Sequence, residues 1–133
     1  MKYCLDTNTV IFYLRGTRPR LLERLKSHHP EEIVIPELVR GELLCGVAKS
    51  QQIEKNRARL EKFLTPYHLL PFAGDTAVHY ADIRLKLERL GTIIGPNDLI
   101  IAATARAYGA VLVTNNTSEF ARVEGLMVED WTV

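Results

Sequence analysis

The sequence lacks several features that would place a protein in a special class. No apolar run approaches the roughly 20 residues that a membrane-spanning helix needs. The first residues lead directly into a strand-like run, so we expect no signal peptide. Only two cysteines are present, Cys4 and Cys45, both in apolar surroundings and without metal-ligand spacing. We therefore expect two buried thiols in a protein of the reducing cytoplasm.

Common catalytic signatures are missing as well. No Ser-His-Asp or Cys-His arrangement stands out, and the chain has neither a phosphate-binding glycine-rich loop nor a dinucleotide-binding fingerprint. His28 and His29 are adjacent and cannot both face one metal from a helix or a strand, so we interpret them as a solvated helix end. Without a Cys/His ligand set, a Zn²⁺ site is not expected.

Length and composition describe an ordinary globular unit. The 133 residues are 47% hydrophobic and 25% charged, which suits a single domain covering residues 1–133. The net charge is only +1. If four of the 16 acids surround a cation, the 12 that remain face 17 Lys and Arg. That surplus of five positive charges suits a polyanionic partner around an acidic centre.

Strand-like and helix-like segments alternate along the chain. Short apolar runs predict strands at 3–5, 33–35, 67–71, 110–113 and 127–128. Helical spacing or composition predicts helices at 10–14, 20–26, 37–49, 51–64, 75–90 and 96–105, with a short turn near Glu119. This alternation predicts an α/β fold of three layers, in which a mostly parallel central sheet is flanked by helices.

Three acids stand at informative positions. Asp6 directly follows the first strand, at the edge where open α/β sheets place their sites, although it could simply cap the next helix. Glu42 has no charged neighbour one helical turn away, and such a carboxylate is costly unless something compensates it. Gly41 and Gly46 beside it would allow a backbone or a ligand to approach closely. Asp98 lies in the first turn of an apolar helix, where the helix dipole alone would favour an acid.

A fourth polar region follows the strand at 110–113. It runs from Thr114 to Glu119, and turn formation alone could explain its composition. In a parallel sheet, however, this loop lies on the same edge as Asp6 and Asp98. Clustered carboxylates repel and raise one another's pKa, whereas Mg²⁺ or Mn²⁺ prefers oxygen ligands and reverses that penalty. The predicted chemistry is therefore metal-assisted hydrolysis of a phosphodiester.

Four blocks of residues resemble the PIN-domain ribonucleases, and among them the VapC toxins of bacterial toxin–antitoxin pairs. The blocks are 5–8, 35–43, 96–103, and 113–116 with 119–120; they are spread over residues 5–120, so the resemblance covers essentially the whole chain. The resemblance implies that Asp6, Glu42 and Asp98 hold Mg²⁺, for which Mn²⁺ can substitute. It also implies that Thr114 positions a metal-bound water or a neighbouring carboxylate.

One position departs from the family pattern. The family usually has a fourth acid two residues after the threonine, and here that position is Asn116. The same block, Thr114-Asn115-Asn116, is one that we associate with a VapC subgroup. We expect Glu119 to supply the missing charge, and Thr114 and Asn116 to orient water or phosphate.

The resemblance also implies partners. It predicts a homodimer and a VapB-type antitoxin whose C-terminal segment crosses the acidic groove and directs a basic side chain at the carboxylates. DNA would be contacted only indirectly, through the antitoxin. The implied substrate is structured RNA, especially tRNA, with the anticodon region of initiator tRNA as an analogy. The basic cluster Lys55, Arg57, Arg59 and Lys62 is either a solvated helix face or a contact to RNA phosphate.

Two alternatives from other classes remain open. Aspartate-nucleophile phosphatases also place Asp after the first strand, but they need a second Asp where this chain has Asn8, and a Lys that residues 91–133 do not supply. A non-catalytic PIN-like domain that binds RNA or protein would be signalled by loss of Asp6 or Asp98, and both are present. A DNA-directed nuclease ranks behind, because the chain is too short to add the helical arches of such enzymes.

Overall fold

Five short strands form one parallel sheet in the computed structural model, which describes residues 1–133. They are β1 (Tyr3–Leu5), β2 (Ile33–Pro36), β3 (His68–Leu70), β4 (Val111–Val113) and β5 (Val128–Glu129). The spatial order is β3-β2-β1-β4-β5, and every neighbouring pair is parallel. The inner strands are almost entirely buried, which explains their continuous apolar runs.

Seven α-helices flank this sheet, and the α/β prediction is confirmed. They are α1 (Thr7–Arg15), α2 (Pro19–Lys26), α3 (Glu37–Ala48), α4 (Ile53–Leu64), α5 (Thr76–Leu90), α6 (Pro96–Ala107) and α7 (Thr117–Phe120). A 3₁₀ turn at Pro30–Glu32 precedes β2. None of the helices has the length and apolar character to cross a membrane.

The order in which the chain adds strands to the sheet reverses beside β1. From β1 the chain moves outward to β2 and β3, and it then returns to place β4 and β5 on the opposite side. At such a switch point the connections diverge from the carboxyl ends of neighbouring strands and leave a crevice, which is where open α/β sheets bind ligands. Asp6 follows β1 and Thr114 follows β4, so both residues lie at this crevice.

Helix α6 is central to the packing and carries Asp98 to the crevice. Pro96 occupies its first turn, a position that proline favours, and residues 101–105 are all buried. A helix that is apolar nearly all round is either central to the core or packed in a subunit interface, and the burial of this one places it in the core. The helix packs against α5, and its first turn points toward the carboxyl edge of the sheet near α3.

Two predictions about local environment were each wrong for one residue of a pair. Cys4 is buried as expected, but Cys45 is exposed, because α3 buries Val39 and Leu43 and a residue two positions later faces about 200° away. His29 is exposed as predicted, but His28 is partly buried. Its ring stacks on Trp131 with the centroids 4.9 Å apart and the planes within 5°. That contact joins residues more than a hundred positions apart, which no local pattern could reveal.

Candidate active site

Asp6 lies where β1 meets α1. One of its carboxylate oxygens, Oδ1, accepts a hydrogen bond from the backbone N–H of Thr9 at 2.9 Å, so Asp6 caps the helix. The Thr9 hydroxyl in turn donates to the carbonyl oxygen of Val113 at 3.1 Å, which ties the start of α1 to β4. Only 5% of Asp6 is exposed. The strand, the cap and β4 together hold this carboxylate in one place.

The environment of Asp6 opposes ionisation. Burial raises the pKa of its carboxyl group, and the nearby charge of Glu42 raises it further. Hydrogen bonding from Thr114 and Thr9 lowers the pKa but does not cancel the rise. A cation beside Asp6 would remove the same penalty, because it favours the charged form.

Glu42 is held from two sides. The Thr7 hydroxyl donates to Glu42 Oε1 at 2.6 Å, and the side-chain amide of Asn97 donates to Oε2 at 3.2 Å. These donors come from α1 and α6, whereas Glu42 lies on α3. They supply the compensation that a carboxylate with uncharged helical neighbours needs.

Asp98 lies among other acids and has no compensating partner. It lies in the first turn of α6 and is partly buried. Burial raises the pKa of its carboxyl group, and the charges of Glu119, Asp6 and Glu42 raise it further, in that order. No side-chain hydrogen bond or ion pair within the protein offsets this. A Cβ atom built on Gly95 would lie 3.5 Å from Asp98 Oδ2, so glycine leaves room above the carboxylate.

The loop after β4 brings the remaining predicted residues to the same crevice. Thr114 is buried, and its Oγ1 accepts the backbone N–H of Asn116 at 3.0 Å. Asn116 precedes α7 as its N-cap residue, but its side chain makes no capping hydrogen bond. Glu119 lies in α7, partly buried, and is the acid with the largest electrostatic effect on Asp98. All six predicted site residues therefore lie at the carboxyl edge of the sheet.

The donor set fits a hard divalent cation bound by few protein ligands. No three His, Cys, Asp or Glu side chains are arranged to enclose an ion, so a cage made entirely of protein is not present. Mg²⁺ does not need one, since it keeps several waters and is commonly bound by one or two carboxylates together with substrate phosphate. The oxygen donors at this edge and the unpartnered carboxylate of Asp98 suit that kind of binding. Asp6, Asp98 and Glu42 stay the predicted ligands.

Sequence reasoning missed two polar residues of this site, Thr7 and Asn97. Each stands directly beside an acid that was identified, Thr7 after Asp6 and Asn97 before Asp98. The signal available was therefore their presence in the same short blocks. Their contacts to Glu42 span 35 and 55 positions, and a local pattern does not show contacts over such separations.

A groove of about 240 Å³ opens beside Glu42, between α1, α3 and α4. Its floor is apolar and its rim carries Arg15 and Arg59; the apolar lining consists of Ile11, Leu14, Leu43, Val47 and Leu60. Arg59 also donates to the backbone carbonyl of Leu14. Gly46 lines the groove, but neither it nor Gly41 has another group within 4 Å of a built Cβ, so no backbone approaches closely there, and the approach of a ligand stays a prediction.

Comparison with known proteins agrees with this architecture. Residues 3–126 match the PIN domain family. The chain is 39% identical over 132 residues to the tRNA(fMet)-specific endonuclease VapC of Shigella flexneri, with 99% of each chain covered. It is 37% identical over 131 residues to the ribonuclease VapC2 of Haemophilus influenzae, with 98% of each chain covered.

Solved structures give the same result. The VapBC2 complex of Rickettsia felis bound to a promoter DNA fragment contains a chain that matches with a TM-score of 0.92 and 36% identity, over 98% of this chain and 99% of that one. The DNA-bound VapBC complex of Salmonella typhimurium also gives a TM-score of 0.92, with 37% identity and 98% of each chain covered. The chain therefore belongs to the PIN-domain family and, within it, to the VapC ribonucleases.

Proposed function

We propose that this protein is the toxin of a type II toxin–antitoxin pair and acts in the cytoplasm as a Mg²⁺-dependent endoribonuclease. The observation that carries the proposal is the environment of Asp98. Its pKa is raised by burial and by three other acids, and no Lys, Arg or His of the chain pairs with any of the four. A protein that keeps such a cluster unpaired has a site ready for an external cation.

Each residue has a proposed role in this chemistry. A bound divalent ion supplies a Lewis acid for the phosphate and an activated water. Asp6 and Asp98 bind the ion, with Glu42 as the third carboxylate. The Thr114 hydroxyl positions a neighbouring carboxylate, Asp6, whose pKa it lowers. Glu119 adds negative charge next to Asp98.

Asn116 completes the proposed set of catalytic residues. Its side-chain amide makes no capping bond in the structure, so both its donor and its acceptor are available to orient water or a phosphate oxygen. An amide is uncharged, so this position contributes no negative charge where many family members have an acid. We propose that Glu119, three residues later, replaces that charge.

The proposed substrate is tRNA. The names of the Shigella flexneri and Salmonella typhimurium relatives specify tRNA(fMet), and we carry that substrate to this chain as the best-supported candidate, with the cut in the anticodon region. Helix α4 bears Lys55, Arg57, Arg59 and Lys62, which would contact RNA phosphates as the substrate enters the crevice.

The proposed protein partner is a VapB-type antitoxin, since the matched structures include VapBC complexes. The groove beside Glu42 would accept apolar side chains of the antitoxin on its floor, and a basic side chain of the same segment would reach the acids. This arrangement would block metal and substrate together. Contact with DNA would occur only through the antitoxin.

We also propose a homodimer, with α5 contributing to the contact. Val78 is 69% exposed and Leu85 is 48% exposed. They are seven residues apart, so they lie on one face of the helix, and Ala81 lies between them. That face is opposite the buried side formed by Thr76, Ile83 and Leu87. A second copy of this chain would cover it.

Cleavage of total tRNA by purified, antitoxin-free protein tests the proposal, with Mg²⁺ or Mn²⁺ compared with EDTA and with the product ends mapped. We expect one metal-dependent cut in initiator tRNA. Asp98→Asn should abolish the cut, whereas Asp82→Asn, the same change outside the crevice, should not. Absence of cleavage by folded wild-type protein, or cleavage that continues in EDTA, would contradict the proposal.

A further inference from the structure

Glu42 is connected to both of the other predicted metal-binding carboxylates through their immediate neighbours in sequence. Thr7, which follows Asp6, donates to one oxygen of Glu42, and Asn97, which precedes Asp98, donates to the other. We infer that Thr7 and Asn97 are positioning residues that fix the Glu42 carboxylate relative to Asp6 and Asp98. The inference rests on the proposed metal-dependent function and extends it to two residues with no assigned role.

We call the two hydrogen bonds from Thr7 and Asn97 to Glu42 the Glu42 clamp. Glu42 needs them because its side chain is flexible and its neighbours carry the same charge. A glutamate loses up to about 2 kcal/mol of side-chain conformational entropy when it is held in one conformation. The charge of Glu42 also raises the pKa values of Asp6 and Asp98, so repulsion favours its movement away from the crevice before a cation is bound. Two hydrogen-bond donors from different elements oppose that movement.

The two contacts differ in expected strength. The Thr7 hydroxyl lies 2.6 Å from Oε1, the short distance typical of a hydroxyl that donates to an ionised carboxylate. Asn97 Nδ2 lies 3.2 Å from Oε2, at the long end of the range for an N–H donor, and Asn97 is exposed to water. Thr7 should therefore contribute more to the position of Glu42 than Asn97 does.

The clamp leaves Glu42 able to bind a cation or a metal-bound water. An ionised carboxylate has about four lone-pair positions on its two oxygens. Thr7 and Asn97 use one position on each oxygen. The two hydrogen bonds thus orient the carboxylate and leave lone-pair positions free on both oxygens. Supporting residues that orient a ligand in this way raise the affinity of a site for its metal.

Mn²⁺ binding to the full, antitoxin-free protein tests the inference, with calorimetry or electron paramagnetic resonance as the readout. Thr7→Val keeps the shape and removes the hydroxyl, so we expect Mn²⁺ affinity to fall about 10- to 100-fold, the range for loss of a supporting contact. Asn97→Ala should reduce it less. Thr7→Ser retains the donor and should restore the affinity. Thr65→Val, the same change at an exposed helix end remote from the crevice, should have no effect.

A double-mutant cycle separates positioning from a general loss of structure. In a Glu42→Gln background the charged acceptor is gone, so Thr7→Val should reduce Mn²⁺ affinity little further. An equal loss in both backgrounds, or wild-type affinity in both single variants, would overturn the inference. If Thr7→Val does not fold, the same cycle can be measured with Asn97→Ala, because Asn97 is exposed and its replacement should not disturb the fold.

The kinetic pattern distinguishes this inference from the proposed function. With wild-type protein active on tRNA, Thr7→Val should lower kcat and raise the Mg²⁺ concentration needed for half-maximal rate, while KM for RNA changes little. If wild-type protein cleaves no RNA, the proposed function fails, but the Mn²⁺ cycle still decides whether Thr7 and Asn97 position Glu42. If wild-type protein cleaves RNA and the cycle shows no coupling, only the inference about Thr7 and Asn97 fails.

Discussion

Oδ1 of Asp6 accepts the backbone N–H of Thr9 at 2.9 Å, and the Thr9 hydroxyl donates to the carbonyl oxygen of Val113 at the end of β4. Asp6 thus both caps α1 and faces the crevice. From sequence, capping and function were competing explanations of this acid. The structure makes them compatible, because a cap needs only one of the two carboxylate oxygens. Substitutions that keep the cap and remove the charge can separate them.

Asp6→Asn should abolish cleavage without destabilising the protein. Asn caps a helix about as well as Asp, and it removes a buried charge whose formation the site opposes. Loss of a carboxylate that binds the metal should cost several kcal/mol of transition-state stabilisation, so we expect activity to fall at least about 1,000-fold. The measurements are tRNA cleavage and thermal unfolding in EDTA.

Asp6→Ala provides the comparison, because it removes the cap and the charge together. It should be as inactive as Asp6→Asn but less stable by about 1 kcal/mol, the usual cost of a lost N-cap. Equal stability of the two variants would show that the cap contributes nothing. A folded, active Asp6→Asn protein would instead remove Asp6 from the catalytic set.

The sequence could predict that acids meet at one edge of the sheet, because strand ends and helix starts are local features. An apolar run that ends in Asp6, and Pro96 two residues before Asp98, place both acids once the sheet is taken as parallel. The same argument located the loop that begins at Thr114. Parallel pairing itself followed from the alternation of strands and helices.

What the sequence could not predict depends on contacts between distant elements. Nothing near Thr7 shows that its hydroxyl reaches Glu42, because that distance is set by the packing of α1 against α3. The stacking of His28 on Trp131 likewise requires the C-terminal end to return beside β1. The exposure of Cys45 depends on which side of α3 faces the core, and an apolar helix with few charges does not reveal that side.

Gly41→Ala should stabilise the protein. Gly41 lies inside α3, is exposed, and has nothing within 4 Å of a built Cβ. Alanine should therefore gain about 1 kcal/mol in helix propensity and raise Tm by roughly 4 °C. Gly91→Ala should do the opposite, since Gly91 caps α5 with φ of 67°, a conformation that favours glycine. Thermal unfolding of both variants checks this, and a lower Tm for Gly41→Ala would show that close approach matters there.

Val78→Glu should weaken self-association if α5 forms the dimer contact. A charged side chain at the centre of an apolar interface is costly to desolvate, so the apparent mass should shift toward the monomer in light scattering coupled to size exclusion. Val133→Glu makes the same change at an exposed residue of the C-terminal end and should leave the mass unchanged. A dimer that persists in Val78→Glu and in Leu85→Glu would place the contact elsewhere.

Without metal, stability should decrease as the pH rises through the raised pKa values of Asp6 and Asp98. The folded protein holds these protons more tightly than the unfolded chain, so the stabilisation is complete below the ordinary value of 3.8 and is lost above the folded pKa. Asp98→Asn should flatten this decline.

Asp82 should have the opposite effect on stability, because hydrogen bonding to Arg106 and then Lys86 lowers its pKa. Its contribution to stability is therefore lost as the pH falls. Urea unfolding in EDTA across a pH series measures both effects. Parallel profiles for wild-type protein and Asp98→Asn would mean that neither burial nor the neighbouring acids raise the Asp98 pKa, and the electrostatic case for a cation there would fail.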